Sequence, residues 1–383
     1  MTFIVPIGPQ HPALKEPVYF RFETKGEEIV NLDIRLGYCH KGIERAMQER
    51  SYLHNIYLSE RICGICNVGH TTTYCQTIEQ LAGIKVPNRA RFIRTILCEL
   101  ERIHSHLLWA GIAAHEIGFD TLFMLFWRDR ELVLDLKEMI SGNRQLAASN
   151  TLGGVRRDVK PEHVPQILRT LDKLEKETKH YINLCTSDRT ILARCVGVGV
   201  LPKSDAKKLC TVGPTARASG VDVDIRRDDP YEAYGEISFD VITAPDGDVF
   251  ARIVVRLLEI LESIKISRQA VKALPKGPLR VKIAPKIEPN EAVGRVEMPR
   301  GELLYYAVSN GTDKPERVRI RTPTYANIPS MKPMFVGGTI ADIPIVMASI
   351  DPCFACTDRV ALVDSHTSKT RIVSLRELGR WKG

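Results

Sequence analysis

Two Cys-x-x-Cys pairs, Cys63 with Cys66 and Cys353 with Cys356, stand near opposite ends of a 383-residue chain. The two-residue spacing lets both thiolates of a pair face one ion. Four thiolates suit zinc, an iron–sulfur cluster or nickel, because soft sulfur ligands favour those metals over magnesium or calcium. Spacing alone leaves three uses open: a structural zinc or iron–sulfur site, a redox-active dithiol, and a catalytic metal. The remaining cysteines, Cys39, Cys75, Cys98, Cys185, Cys195 and Cys210, stand alone and read as small buried hydrophobes. A disulfide scaffold is not expected, since the start of the chain carries no basic segment or cleavage site for export and a reducing cytoplasm is the default.

Elements that could position these cysteines are visible in the hydrophobic pattern. Val18, Phe20 and Phe22 alternate, Lys25-Gly26-Glu27 forms a polar turn, and Val30, Leu32, Ile34 and Leu36 alternate again, which predicts an antiparallel hairpin. From Ala90 to Gly118, apolar residues at three- and four-residue steps (Ile93, Ile96, Leu97, Leu100, Ile103, Leu107) predict a long amphipathic helix. Similar patterns predict helices over Val164 to Leu184 and Arg252 to Ile266. Gly197 to Gly220, rich in Gly, Pro, Ser and Thr, predicts a loop region and an internal boundary, and its Gly-Val-Gly-Val is not a phosphate loop. Sheet is expected again where Leu279, Val281 and Ile283 alternate, and where Asn310-Gly311 separates Leu303–Val308 from Arg317–Arg321. Asp342 is expected to cap a short helix with Pro344 in its first turn, ending beside Asp351-Pro352-Cys353.

With 44% apolar and 26% charged residues, the chain can bury a sizeable core. Its longest apolar stretch, Leu107 to Ala114, is far short of the roughly 20 residues a spanning helix needs, and His115 and Glu116 follow it at once. The net charge of +8 comes from 54 basic and 46 acidic residues scattered along the chain. No basic helix or aromatic-interleaved stripe appears, so a nucleic-acid partner is not expected.

The flanks of the cysteine pairs are more specific than their spacing. Arg61-Ile-Cys63-Gly-Ile-Cys66, running on to His70, and Asp351-Pro-Cys353-Phe-Ala-Cys356-Thr-Asp-Arg359 together resemble the two ligand motifs of the nickel–iron hydrogenase large subunit. Further landmarks are Gly8-Pro-Gln-His-Pro12, Gly37-Tyr-Cys-His-Lys-Gly42, Glu101-Arg-Ile-His-Ser-His106, Gly213-Pro-Thr-Ala-Arg-Ala-Ser-Gly220, Asp229-Pro-Tyr231 and Met298-Pro-Arg-Gly301. They resemble the energy-converting, membrane-bound branch, which shares its fold with the quinone-site large subunit of respiratory complex I. The complex I relative lacks the four cysteines.

The resemblance implies an α+β fold: a central helical bundle flanked by an N-terminal antiparallel sheet and C-terminal β elements. It implies one hydrogenase-like domain over 1–359, with sheet over about 1–45, a helical core over about 46–270 and an α/β part over about 271–359. Residues 360–383 would be an extension, either clipped after metal insertion or packed on the subunit or its partner. By the same resemblance Cys63 and Cys353 are terminal ligands of nickel. Cys66 and Cys356 bridge nickel to an iron carrying carbon monoxide and cyanide. Arg300 matches an arginine overhanging the metals, Asp351 the acid that holds it, and Thr324 a hydroxyl bonded to a cyanide. Glu16 sits where relatives place a proton-relay carboxylate, which His11, His70, Glu116, His104 and His106 would extend. His104 and His106, two apart on one helix, do not share a face and are expected to be structural. Glu44 matches a ligand of a second metal whose histidine is here Arg359, so an ion pair between Glu44 and Arg359 is expected to replace that metal.

The implied activity is reversible interconversion of protons, electrons and hydrogen, coupled to ion translocation. Electrons would arrive from ferredoxin-type carriers through a small hydrogenase subunit holding a 4Fe-4S cluster, since no further paired cysteines here could hold one. Membrane ion-translocating subunits complete the implied assembly, with this chain peripheral on the cytoplasmic face of the cell membrane. The rivals are a non-hydrogenase redox module of the same fold, reducing quinone or sulfur, and a structural zinc protein.

Overall fold

In the computed structural model, which describes residues 2–357, 362–363 and 370–371, the chain opens with an antiparallel sheet in the order β1 (Phe3–Ile7), β2 (Tyr19–Lys25), β3 (Glu28–Arg35). Phe20 and Phe22 turn into the core, and a bulge beside Glu23 lets Ile29 and Leu32 share that face. The predicted hairpin is β2–β3. Strand β1 was not anticipated, because Pro6 argues against a strand interior. It is an edge strand, where a missing N–H is tolerated.

Short helices α1 (Ile43–Gln48) and α2 (Tyr52–Glu60) lead to α3 (Asn67–Leu81), followed by α4 (Asn88–Ile117) and α5 (Asp120–Ser141). A small hairpin, β4 (Asn150–Thr151) with β5 (Gly154–Val155), precedes α6 (Val164–Ser187), α7 (Arg189–Cys195), α8 (Lys203–Lys208), α9 (Gly213–Arg217), α10 (Ile225–Asp228) and α11 (Val249–Lys272). Helix α4 packs on α5 and α11, and α11 on α6, forming the central bundle. Thus α4, α6 and α11 lie where their periodicity predicts helix.

The stretch from Gly197 to Gly220 departs from its reading as an open loop. It contains α8 and α9, and Thr215, Ala216, Arg217 and Ala218 are buried. Gly199 and Gly213 serve close packing: a Cβ on Gly213 (φ +69°) would lie 2.4 Å from the Cα of Gly301, beside Arg300.

The C-terminal sheet runs β6 (Asn290–Met298), β7 (Gly301–Ser309), β8 (Pro315–Arg321), all antiparallel, with the expected turn at Gly311 (φ +83°). No strand forms over residues 279–283. Arg280 makes one bridge to Gly154, while Pro278 and Pro285 remove donors on either side. Helix α3 lies on β6 and β7. A Cβ at Gly294 would come within 2.3 Å of Thr77 Oγ1, so glycine there permits the close approach. Helix α12 (Pro323–Phe335) and α13 (Ile343–Ser349) complete the main fold, followed by the small pair β9 (Leu362–Val363) and β10 (Thr370–Arg371). Asp342 precedes α13 as expected, but its side chain accepts from Thr339 Oγ1 (2.8 Å) rather than capping the helix. One cluster of buried apolar side chains extends from Ile7 to Cys356 through these elements.

Candidate metal centre

The two cysteine loops meet between the bundle and the C-terminal sheet. Cys63 lies in the turn after α2, Cys66 is the residue before α3, Cys353 follows α13, and Cys356 ends a single helical turn, Phe354–Cys356. All four are buried. The Sγ atoms of Cys63 and Cys353 are 3.5 Å apart, and sulfurs of Cys63, Cys353 and Cys356 lie within 4.8 Å of one another. Cys353 and Cys356 are bonded to each other in this structure; once reduced, they would complete a four-thiolate donor set. The Cys63 thiol is pulled down to about 7, first by a hydrogen bond from the Cys66 thiol and then by the Arg300 charge, against the effect of burial. Cys66 is pushed up by the same hydrogen bond and by burial. One thiolate is thus favoured before any metal arrives.

Arg300, in the tight turn between β6 and β7, is fixed on all sides. Its Nε donates to the Asp351 carbonyl (2.7 Å), Nη2 to Asp351 Oδ1 (2.6 Å), and Nη1 to both Cys66 Sγ (3.0 Å) and Ser105 Oγ (3.1 Å). Asp351 has a left-handed backbone (φ +54°), a conformation that Asp tolerates better than most residues. That turns the chain into Pro352 and Cys353. The loop is held from outside as well: Thr324 Oγ1 accepts from Cys353 N (3.1 Å), Glu16 Oε2 accepts from Ala355 N (2.8 Å), and Lys41 donates to the Ala355 carbonyl. Glu16 Oε1 is 3.8 Å from Cys353 Sγ.

A cavity of about 490 Å³ opens from this point. Its wall is largely apolar, with Leu108 and Ile112 on α4 and Phe123 and Trp127 on α5, and Glu16, Arg300 and Cys353 line it too. Lys15 and Glu116, 2.9 Å apart, also border it.

The other anticipated residues have different surroundings. His70 is buried against the Tyr305 hydroxyl (2.9 Å), and burial depresses it to about 3. His104 Nδ1 accepts from Arg130 Nε (2.8 Å), and His106 Nε2 meets Glu259 Oε2 (3.0 Å). His11 is exposed, and its Nδ1 accepts from Ala13 N (3.2 Å). Glu44 accepts from the amide of Ile320 (2.9 Å) and faces Arg319 (3.4 Å); its anticipated partner, Arg359, lies outside the described residues.

Two residues of α4 belong to the site, although the sequence shows them only as parts of a landmark motif. Ser105 holds Arg300, and Glu101, one turn earlier, accepts from Val68 N (2.6 Å) and Gly69 N (2.8 Å). Burial pushes the Glu101 carboxyl up to about 7. Their i, i+4 spacing puts them on one face of α4, but the sequence does not say what that face meets.

Comparison with known proteins returns two family models. That of the respiratory-chain NADH dehydrogenase 49 kDa subunit matches residues 116–290 and 281–359, and that of nickel-dependent hydrogenase matches residues 41–111. The chain is 42% identical over 359 residues to a carbon monoxide-induced hydrogenase of Rhodospirillum rubrum, covering 94% of this chain and 99% of that one. It is 40% identical over 377 residues to the membrane-bound hydrogenase alpha subunit of Pyrococcus furiosus (94% and 88% covered). It is also 39% identical over 361 residues to a subunit of the NADH-quinone oxidoreductase of Dehalococcoides mccartyi (94% and 98%). Among solved structures it matches a chain of a membrane-bound sulfane sulfur reductase, an archaeal respiratory membrane complex. The TM-score is 0.89 and the identity 31%, over 94% of this chain and 98% of that one.

Proposed function

We propose a function from one premise: the chain belongs to the oxidoreductase family that joins the large subunits of energy-converting hydrogenases to the 49 kDa subunit of respiratory NADH dehydrogenase. Within it, this chain is the catalytic large subunit of an energy-converting nickel–iron hydrogenase. The observation that carries this reading is the convergence of the Cys63, Cys353 and Cys356 sulfurs within 4.8 Å, with Arg300 donating to Cys66, the other buried cysteine of the first pair.

The donor chemistry fits a nickel–iron group. Cys63, Cys66, Cys353 and Cys356 would hold the group as thiolates, with carbon monoxide and cyanide on its iron. When bound, that group supplies reversible cleavage and formation of hydrogen. The protein's part is fixed charge and proton handling. Arg300, locked by Asp351 and Ser105, presents a permanent cation beside the sulfurs without reorganisation. Thr324 fixes the Cys353 backbone and stands ready to bond a cyanide. Glu16 takes the proton, its Oε1 facing Cys353 Sγ and its other oxygen anchored on Ala355 N. The apolar cavity suits hydrogen passage.

A small hydrogenase partner with a 4Fe-4S cluster would deliver electrons from ferredoxin-type carriers, and ion-translocating membrane subunits would complete the assembly at the cytoplasmic face of the membrane. None of the helices among the described residues is long and apolar enough to cross a membrane, which agrees with a peripheral place. A Glu44–Arg359 ion pair would stand in for a second metal.

A second reading is favoured by the same cavity: its apolar wall and polar inner end suit quinone or sulfur reduction, the activities named for two relatives. Purified complex assayed for nickel and iron, and for hydrogen, quinone and polysulfide turnover, separates the readings. Nickel with hydrogen turnover supports the hydrogenase. Quinone or polysulfide reduction without nickel supports the second reading, and zinc alone would reject both.

A further inference from the structure

Cys66 occupies the position before α3 where a helix ordinarily has Ser, Thr, Asp or Asn to accept from its first unpaired N–H groups. Cysteine makes no such bond here. Its sulfur is turned away, toward Arg300. The cap comes instead from another helix: both oxygens of Glu101, on α4, accept from Val68 N and Gly69 N, the second and third residues of α3. Resting on the reading of the cysteines as metal ligands, we infer that Glu101 is a positioning residue that frees Cys66 for the metal by capping α3 from outside.

Three further features fit this assignment. Gly69 leaves room for the carboxylate, since a Cβ there would sit 3.3 Å from Glu101 Oε2 and 3.0 Å from Met298 Cγ. The charge is offset in the interior, where Lys137 is fully buried, donates to the Gln145 carbonyl (3.2 Å) and is an electrostatic partner of Glu101. The cysteine loop is tied down from the same side, Gln145 Nε2 donating to the Gly64 carbonyl (2.8 Å) and Asn67 Nδ2 to the Gln145 carbonyl (2.8 Å). The arrangement mirrors the second loop, where Glu16 accepts from Ala355 N. Each pair is therefore steadied by a carboxylate from outside its loop, bound to backbone N–H next to or near a cysteine.

The test compares wild-type complex with Glu101→Gln, which keeps shape and one acceptor but faces a backbone N–H with its own NH₂, and with Glu101→Ala. Hydrogen–deuterium exchange is read on the peptide spanning residues 64–70, together with bound nickel after dialysis against a chelator. Exchange at Val68 and Gly69 should quicken by about tenfold in Glu101→Gln, in line with the loss of one charge-assisted hydrogen bond, and nickel retention should fall in the same order, wild type, Gln, Ala. Unchanged exchange at these amides overturns the cap. Quicker exchange with unchanged nickel retention and unchanged infrared bands of the iron ligands overturns the positioning role. A wild-type complex that never takes nickel refutes the metal reading, while the exchange measurement still decides the cap.

Discussion

Arg300 engages three separate elements at once: the turn after α13, α4, and the N-terminus of α3. A lysine has one point charge where arginine has a planar fork, so Arg300→Lys keeps the charge but loses the joint grip on Asp351 and Cys66. Hydrogen turnover should fall about 10²- to 10³-fold with nickel content retained, measured by gas-phase assay alongside metal analysis. Glu16→Gln should keep the bond to Ala355 N and lose the proton acceptor, lowering turnover about 10²-fold or more without weakening the fold; an unchanged rate would remove Glu16 from the proton route. At this scale Asp351 can be read from its place beside Cys353, whereas Arg300, Thr324 and Glu16 lie far from the cysteines in sequence and are named from the resemblance; all four contact the cysteine loops or each other. Ser105 and Glu101 escaped because nothing in a helical repeat says which turn faces the start of α3, 33 residues from Glu101, or Arg300, 195 residues from Ser105. Thr322, two residues before Thr324, has a buried hydroxyl with no hydrogen-bond partner among the described residues.

Helix α3 shows why elements differ in legibility. Helices α4, α6 and α11 carry apolar stripes that declare their buried faces, whereas α3 buries Thr71, Thr72, Thr73 and Thr77. Threonine is a poor helix former, yet Thr71, Thr73 and Thr77 return their hydroxyls to the carbonyls four residues earlier (3.1, 2.7 and 2.7 Å), so the interior accepts them. Burial without hydrophobic periodicity leaves no pattern to read. Residues 279–283 are the converse: alternation is present, but with prolines on both sides and only the two-residue β5 beside it, pairing stops at one bridge between Arg280 and Gly154. The contact of α3 with β6 gives a prediction at this scale. Gly294→Ala places a methyl 2.3 Å from Thr77 Oγ1 and should destabilise the protein by about 1–3 kcal/mol, read as a lower denaturation midpoint. An unaltered midpoint would mean that α3 can shift on the sheet.

Across the whole molecule, the interior holds an ionic network that composition could not reveal. Arg217 contacts Glu259 and Glu297 (both 2.8 Å), and Arg226 contacts Asp224 (2.7 Å) and Glu99 (3.2 Å), all buried. Scattered charges in the sequence look like a solvated surface until the fold pairs them. The pH dependence of stability follows. Burial depresses His70 to about 3 and His106 to about 4, and depresses His104 as well. Below about 6.5 the unfolded chain therefore binds protons at these sites that the folded chain refuses, and stability falls with pH. Burial raises Glu101 and Glu297 to about 7, which acts in the opposite direction between about 4.5 and 7. Asp224, whose burial alone would raise it, is drawn down to about 2 by Arg226 and Arg217, and so costs stability as pH falls through the range below about 4. The melting temperature of the protein should thus decline gently from pH 6.5 to 4.5 and steeply below. A gain of stability below pH 4.5 would contradict these assignments.

The central claim is that four thiolates hold nickel and iron, and infrared absorption of the purified, matured complex tests it most directly. Carbonyl and cyanide stretches accompanied by stoichiometric nickel, and bands that shift in Arg300→Lys, are the predicted result. Zinc in place of nickel, with no absorption from iron-bound diatomic ligands, would contradict it.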